Sequence, residues 1–235
     1  MKLLHLLYLA YYLPLLTLMT ILCGTACFAA SFFSLRLARS ISNTAWSRAV
    51  LGPAGIKLKV SGRENLPRDS GGFIVYANHN SLLDIPAVAL ATRAPLAWVA
   101  KASLARIPFF GWGLARVHLL VDRAGGLEAI NSLVAEASRR LARGEVLSIF
   151  PEGTRHHGPD QLLPFKKGAF ILALHTGAAA VPVALENTAR LWPAGRLGPR
   201  PGLIRVRIGP PLAPAPGEKT ADFTARAQAA LAALI

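Results

Sequence analysis

The chain of 235 residues is long enough for one ordinary domain plus an appendage and too short for two full enzymatic domains. Hydrophobic residues make up 53% and charged residues only 16%, well below the roughly 25% charged of a typical soluble protein, which excludes a disordered or fibrous chain and points to membrane contact. Twenty-six basic side chains against 12 acids give +14, and 19 of the 26 are arginine, so no physiological pH removes the charge and the expected partners are anionic: lipid head groups, phosphorylated substrates or nucleic acid.

The first element is a run from residue 3 to 35 without one charged side chain. As a helix it would extend about 50 Å, against a hydrocarbon core of roughly 30 Å. Pro14 and Gly24 offer kinks, which leaves three forms open: one tilted span over residues 11–33, a kinked helix, or two helices dipping into one leaflet. The only cysteines, Cys23 and Cys27, fall inside this run, so neither a disulfide framework nor a Cys/His metal pattern is expected. Lys2 alone precedes the run, while Arg36, Arg39, Arg48, Lys57, Lys59 and Arg63 follow it before the first acid, Glu64. That asymmetry places the rest of the chain on the cytoplasmic side. The same cations are also suited to an anionic leaflet, each worth on the order of 1 kcal/mol near the surface. The chain thus divides into a membrane segment (1–35), a basic juxtamembrane connector (36–61) and a domain (62–235).

In the remainder, apolar runs of strand length occur at residues 56–60, 73–77, 96–100, 117–121, 146–150, 179–185 and 203–208, with helix-period stretches at 83–92, 127–143, 167–175 and 220–231. The alternation predicts an α/β fold, a mostly parallel or mixed sheet with helices on both faces, preceded by the membrane-embedded helical segment. In such sheets ligands bind where strands reach their carboxyl ends, so the residues after each strand carry the functional reading.

The run 73–77 leads into Asn78-His79-Asn80-Ser81-Leu82-Leu83-Asp84. A histidine at a strand end can accept a proton from a substrate hydroxyl if a carboxylate one helical turn away holds its other ring nitrogen. Taken alone the pair is a weak signal, since Asp84 also suits a helix N-terminus. The run 146–150 leads in the same way into Pro151-Glu152-Gly153-Thr154-Arg155, where Gly153 permits close backbone approach and Glu152 and Arg155 set opposite charges in one short loop.

Together these blocks resemble the glycerolipid acyltransferases, specifically the bacterial-type 1-acylglycerol-3-phosphate acyltransferases. Asn78-His79 to Asp84 matches the first block, and Lys101-Ala102-Ser103-Leu104 to Pro108-Phe109-Phe110-Gly111, ending in Val121-Asp122-Arg123, the second. The third is Phe150 to Arg155, extended by Pro164-Phe165-Lys166-Lys167-Gly168, and the fourth is Ala180-Val181-Pro182-Val183-Ala184. The chain departs from the family at Ser103, where an acidic residue is common, and at Ala184, where many members are bulkier. The resemblance implies transfer of a fatty acyl group from an acyl carrier protein or coenzyme A thioester to the free hydroxyl of lysophosphatidate, giving phosphatidate at the cell inner membrane, with no cofactor beyond the thioester. It implies His79 as general base, Asp84 as its orienting group, and Lys101, Arg123, Glu152, Gly153, Thr154 and Arg155 as the substrate-binding set. Arg123 and Arg155, with Lys101 beside them, suit the acceptor phosphate because guanidinium forks match its oxygens. Glu152 is expected to contact the glycerol hydroxyl or to position Arg155. No Gly-x-Ser-x-Gly elbow is present and both cysteines lie in the membrane run, so the acceptor hydroxyl is itself the nucleophile.

Two other readings remain: acylation of another lysolipid such as lyso-ornithine lipid, and a catalytically silent membrane lipid-binding module. His156 and His157 are adjacent but have no carboxylate or cysteine at ligand spacing, so no metal is expected. Trp98, Phe109, Phe110 and Trp112 are divided between an acyl groove and the core, and His118 and His175 read as structural. The arginines at 196, 200, 205 and 207 lack interleaved aromatics, which argues against a nucleic-acid partner.

Overall fold

A computed structural model describes residues 2–68, 71–122, 126–155 and 162–235. Seven strands form one sheet: β1 (Ile56–Ser61), β2 (Ile74–Ala77), β3 (Ala97–Lys101), β4 (Leu119–Val121), β5 (Leu147–Ile149), β6 (Ala180–Glu186) and β7 (Gly202–Ile208), in the order β1-β7-β6-β2-β5-β3-β4. All neighbours run parallel except β6 and β7. This is the mixed sheet that the alternation predicts. β2 is central, and all four of its residues are buried. An uninterrupted apolar run is what a strand covered on both faces requires.

The pleat sends alternate side chains to opposite faces. Val75 and Ala77 join a core with Leu83, Ala87 and Val88 of the segment leading into and through α4 (Asp84–Thr92). Ile74 and Tyr76 join the other core, under α6 (Gly126–Ala142), α7 (Gly168–Thr176) and α9 (Thr220–Ala232). There Phe170 meets Tyr76, Phe165 and Phe223 at ring separations of 5.6, 5.9 and 5.8 Å. Burial of each such ring contributes about 1.5–3 kcal/mol. The buried Tyr76 hydroxyl donates to the Ala227 carbonyl at 3.0 Å, so it does not cost its desolvation.

The N-terminus is a hairpin. α1 (Lys2–Ala30) continues through Pro14, the chain turns at residues 31–33, and a second arm follows as α2 (Leu35–Ser40), a π-helical turn (Ile41–Ala45) and α3 (Trp46–Leu51). The Ser34 hydroxyl caps α2 by accepting the Leu37 N–H at 3.2 Å. Leu3–Ala30 is long and apolar enough to cross a membrane. It nevertheless packs on the rest of the chain along one side: Tyr12 donates to the Val50 carbonyl and Trp46 Nε1 to Thr20 Oγ1, both at 3.1 Å and both tying it to α3, and just past its end Arg116 Nε donates to Ser31 Oγ at 3.2 Å. The run folds as one continuous helix through Pro14 and Gly24, not as two helices within residues 3–35, and the hairpin's second arm comes from the residues beyond it. The turn exposes Phe32 and Phe33, the latter 90% accessible.

Three expectations need correction. The segment 36–61 is not a connector: it forms the second arm of the hairpin and edge strand β1, which pairs with β7 from Ile56 to Ser61. Arg39 does not face lipid. It is 4% exposed, paired with Glu145 at 2.6 Å, and donates from Nε to the Val117 carbonyl at 3.1 Å. Finally, the fourth strand is Leu119–Val121 only, because α5 (Phe110–Val117) occupies the residues before it. Gly111 and Gly113 oppose a helix by about 1 kcal/mol each, and packing overrides them. A Cβ at Gly113 would lie 2.8 Å from the Gly24 carbonyl oxygen, and one at Gly24 would lie 2.8 Å from that of Phe109. The two glycines let α1 and α5 touch.

Candidate active site

The loop after β2 is fixed before it reaches the histidine. Asn78 is buried and makes a two-point bond to β6, donating to the Leu185 carbonyl at 2.9 Å and accepting the Leu185 N–H at 2.8 Å. The chain then wraps around Asp84, the fully buried first residue of α4. Asp84 Oδ2 accepts the N–H groups of Asn80 and Ser81 at 2.6 and 2.7 Å and lies 2.8 Å from His79 Nδ1. A carboxylate at a helix N-terminus that already accepts two N–H bonds is an acceptor for the ring as well. Nδ1 therefore carries the imidazole proton, and Nε2, on the other side of the ring, is left basic. The ring is held flat on Phe150, 4.0 Å between centroids and 10° apart, and Phe150 stacks in turn on Trp98.

Glu152 is turned inward. It is 2% exposed, with Oε1 accepting the His79 N–H at 2.7 Å and Oε2 accepting the Leu163 N–H at 3.1 Å. Its carboxylate ties the His79 loop to the chain beyond the Pro151 turn. Gly153 adopts φ +69°, where a side chain is strained, and a Cβ there would lie 2.9 Å from Lys166 Nζ. Lys166 is thus brought over the loop, a placement that the reading of the individual residues missed although the Pro-Phe-Lys-Lys-Gly extension signalled it.

His79, Lys101, Gly153, Thr154 and Arg155 all line one cavity of about 500 Å³. Lys101, Thr154 and Arg155 are exposed at its polar end. From there it follows β3 back from Lys101 to Trp98, bounded on the other side by Cys23, Gly24 and Cys27 of α1 and by Leu114 of α5. The two cysteines, read only as part of the apolar run, are therefore cavity wall. Of the four aromatics left undecided, Trp98 and Phe110 line the cavity and Phe109 and Trp112 face outward. His118 also borders it, with Nδ1 accepting the Trp98 N–H at 3.2 Å. Burial, reinforced by the charges of Arg39 and Arg140, pushes the His118 pKa down to about 3, so it is neutral. Arg123, His156 and His157 lie outside the described residues. Among the described residues no group of three or more His, Cys, Asp or Glu side chains gathers to hold a metal.

An α/β sheet with a His–Asp pair and basic side chains at its strand ends, opening into an apolar cavity, has the construction of a transferase for amphiphilic substrates. A family model described as Acyltransferase matches residues 57–186, more than half the chain, and the chain belongs to that family. It is 34% identical over 189 residues to the 1-acyl-sn-glycerol-3-phosphate acyltransferase of Chlamydomonas reinhardtii, covering 80% of this chain and 55% of the relative. It is 34% identical over 158 residues to the enzyme of the same name from Pseudomonas aeruginosa, covering 67% and 60%. The chain spans little more than half the length of the curated relatives it matches. The crystal structure of the 1-acyl-sn-glycerophosphate (LPA) acyltransferase PlsC from Thermotoga maritima superposes with a TM-score of 0.81 at 28% identity, covering 99% of this chain and 95% of that one.

Proposed function

We propose that the protein acylates the free hydroxyl of 1-acylglycerol-3-phosphate, forming phosphatidate from an acyl carrier protein or coenzyme A thioester. The observation that carries this reading is the His79–Asp84 pair, 2.8 Å apart at the basic mouth of an apolar cavity. His79 Nε2 takes the proton of the acceptor hydroxyl as its oxygen attacks the thioester carbonyl. Collapse of the tetrahedral adduct releases the thiolate, and the imidazolium returns the proton to sulfur. Asp84 keeps the ring in the required tautomer and stabilises the imidazolium. The reaction draws on the thioester alone, without a further cofactor.

Arg155, Lys101 and Thr154, together with Arg123, hold the acceptor phosphate, and the apolar length of the cavity receives a fatty chain. The names of the relatives support the acceptor, and the cationic cavity mouth supports it independently. The hairpin seats the protein on the cytoplasmic face of the inner membrane, with Phe32, Phe33 and the outer face of α1 in lipid and the cavity close to the bilayer. This orientation rests on the excess of cations after the run and on the long apolar helix.

The test is acceptor kinetics on the purified full chain. Charge-assisted bonds contribute roughly 1.5–3 kcal/mol each, so Arg155→Ala should reduce kcat/KM for lysophosphatidate about 10- to 100-fold while thioester KM changes little. Equal use of a phosphate-free acceptor such as lyso-ornithine lipid by the wild type, and equal loss of both acceptors in the variant, would contradict the assignment.

A further inference from the structure

α4 carries Asp84 at one end. At the other end, between α3, β1 and α4, lies a second groove of about 550 Å³. Its lining includes the aliphatic side chains of Leu51, Leu58 and Leu90 and three guanidinium groups: Arg48 from α3, Arg63 from the 3₁₀ turn after β1, and Arg93, the C-cap of α4. No acid lines it, and none of the three arginines forms an ion pair among the described residues. Arg63 is locked in place, donating from Nε to the Ala91 carbonyl at 2.8 Å and from Nη2 to that of Leu90 at 3.4 Å. Burial, and then the charge of Arg93, hold the Arg63 pKa below the usual arginine range, as expected where two cations share a site with nothing to offset them. Arg93 itself occupies the left-handed region at φ +56°, a conformation that disfavours its side chain.

One fixed and two exposed cations beside an aliphatic surface complement an anion joined to an apolar body. α3 stands between the groove and α1: Trp46 and Val50 bond to α1, while Arg48 and Leu51 turn to the groove. We propose that this groove binds a phosphate-bearing anion, either a phospholipid head group or free phosphate, through Arg48, Arg63 and Arg93. The site is separate from the His79 cavity and does not depend on the acyl-transfer reading.

Native mass spectrometry of the detergent-solubilised full chain tests this, with short-chain phosphatidylglycerol as the probe in one arm and inorganic phosphate in the other. The discriminating variant is Arg48→Gln with Arg93→Asn, since asparagine tolerates positive φ. The control is Lys57→Gln with Lys59→Gln, which removes the same charge from the opposite face of β1, where both lysines are exposed. A probe that binds wild type and control alike but binds the arginine variant at least about tenfold more weakly supports the site, and the arm in which this occurs names the source of the phosphate. Arg48→Gln alone, at an exposed side chain, should weaken binding several-fold, and it serves if the double variant does not fold. Equal losses in the two double variants, or unchanged binding of both probes in the arginine variants, would overturn the proposal.

Discussion

The loop 78–84 and the hairpin of α1 with its second arm bound the same cavity, but different forces hold them. The loop is fixed by short polar bonds: Asn78 to β6, Asp84 to three donors, and Glu152 to the backbone of His79. α1 is held by contact between small residues and by a few dispersed hydrogen bonds, and the hairpin's buried polar anchors to the domain lie in its second arm, at Arg39 and Asn43. Directional bonds localise one reacting nitrogen to within a fraction of an ångström, which proton transfer demands. Apolar contacts shape a volume, which is what an alkyl chain reads. The polar end should therefore respond to substitution in rate, and the apolar end in substrate range and stability.

Among the groups that hold the two regions in place, the largest effect is expected at Glu152. In Glu152→Gln one of the two backbone N–H groups now bonded to the carboxylate faces an amide donor, at a cost of about 1–3 kcal/mol. We expect kcat to fall about 10- to 100-fold by that energy, with the lysophosphatidate KM almost unchanged. A raised KM at normal kcat would instead mean that Glu152 binds the acceptor.

Gly113→Val probes the other end. The new side chain meets the Gly24 carbonyl and Cys27, so α1 must move away from α5. Overpacking of this kind costs about 1–3 kcal/mol. Thermal melting should drop accordingly, and the preference among thioesters of increasing chain length should shift while the best substrate keeps most of its rate. An unaltered chain-length profile would show that α1 does not shape the cavity.

The smallest expected effect on transfer concerns His118, which borders the cavity but takes no part in the proposed chemistry. Because its folded pKa lies near 3, below the unfolded value of about 6.5, the unfolded chain binds the extra proton between those limits. Its contribution to stability is complete above pH 6.5 and is lost as pH falls, by at most about 1.4 kcal/mol per pH unit. Denaturant titrations of wild type and His118→Asn between pH 6.5 and 4 should differ by such a slope, and identical pH dependence would place His118 in a solvated environment.

The same division explains what the sequence disclosed. Strands and the His79–Asp84 pair were legible because their signals are local: apolar runs of strand length, and a polar loop at the end of one of them. α5 was not, because Gly111, Gly113 and a Phe109 at φ +63° argue against a helix that only contact with α1 makes favourable. Arg39 read as a lipid-facing cation because its partner, Glu145, lies in the loop before a distant strand. Removing either member of such a buried pair typically costs about 3–5 kcal/mol, so the arm is anchored by a contact that no local pattern reveals. Cys23 and Cys27 became cavity wall for the same reason: which face of an apolar helix meets the domain is decided by the partner surface.

The most direct measurement is single-turnover transfer by His79→Ala with lysophosphatidate and thioester both saturating. General-base catalysis contributes typically about 10²- to 10⁴-fold, and a loss of that size is expected with the melting temperature and lysophosphatidate binding preserved. Near-normal transfer by the folded variant would remove His79 from the chemistry and with it the role assigned to the loop.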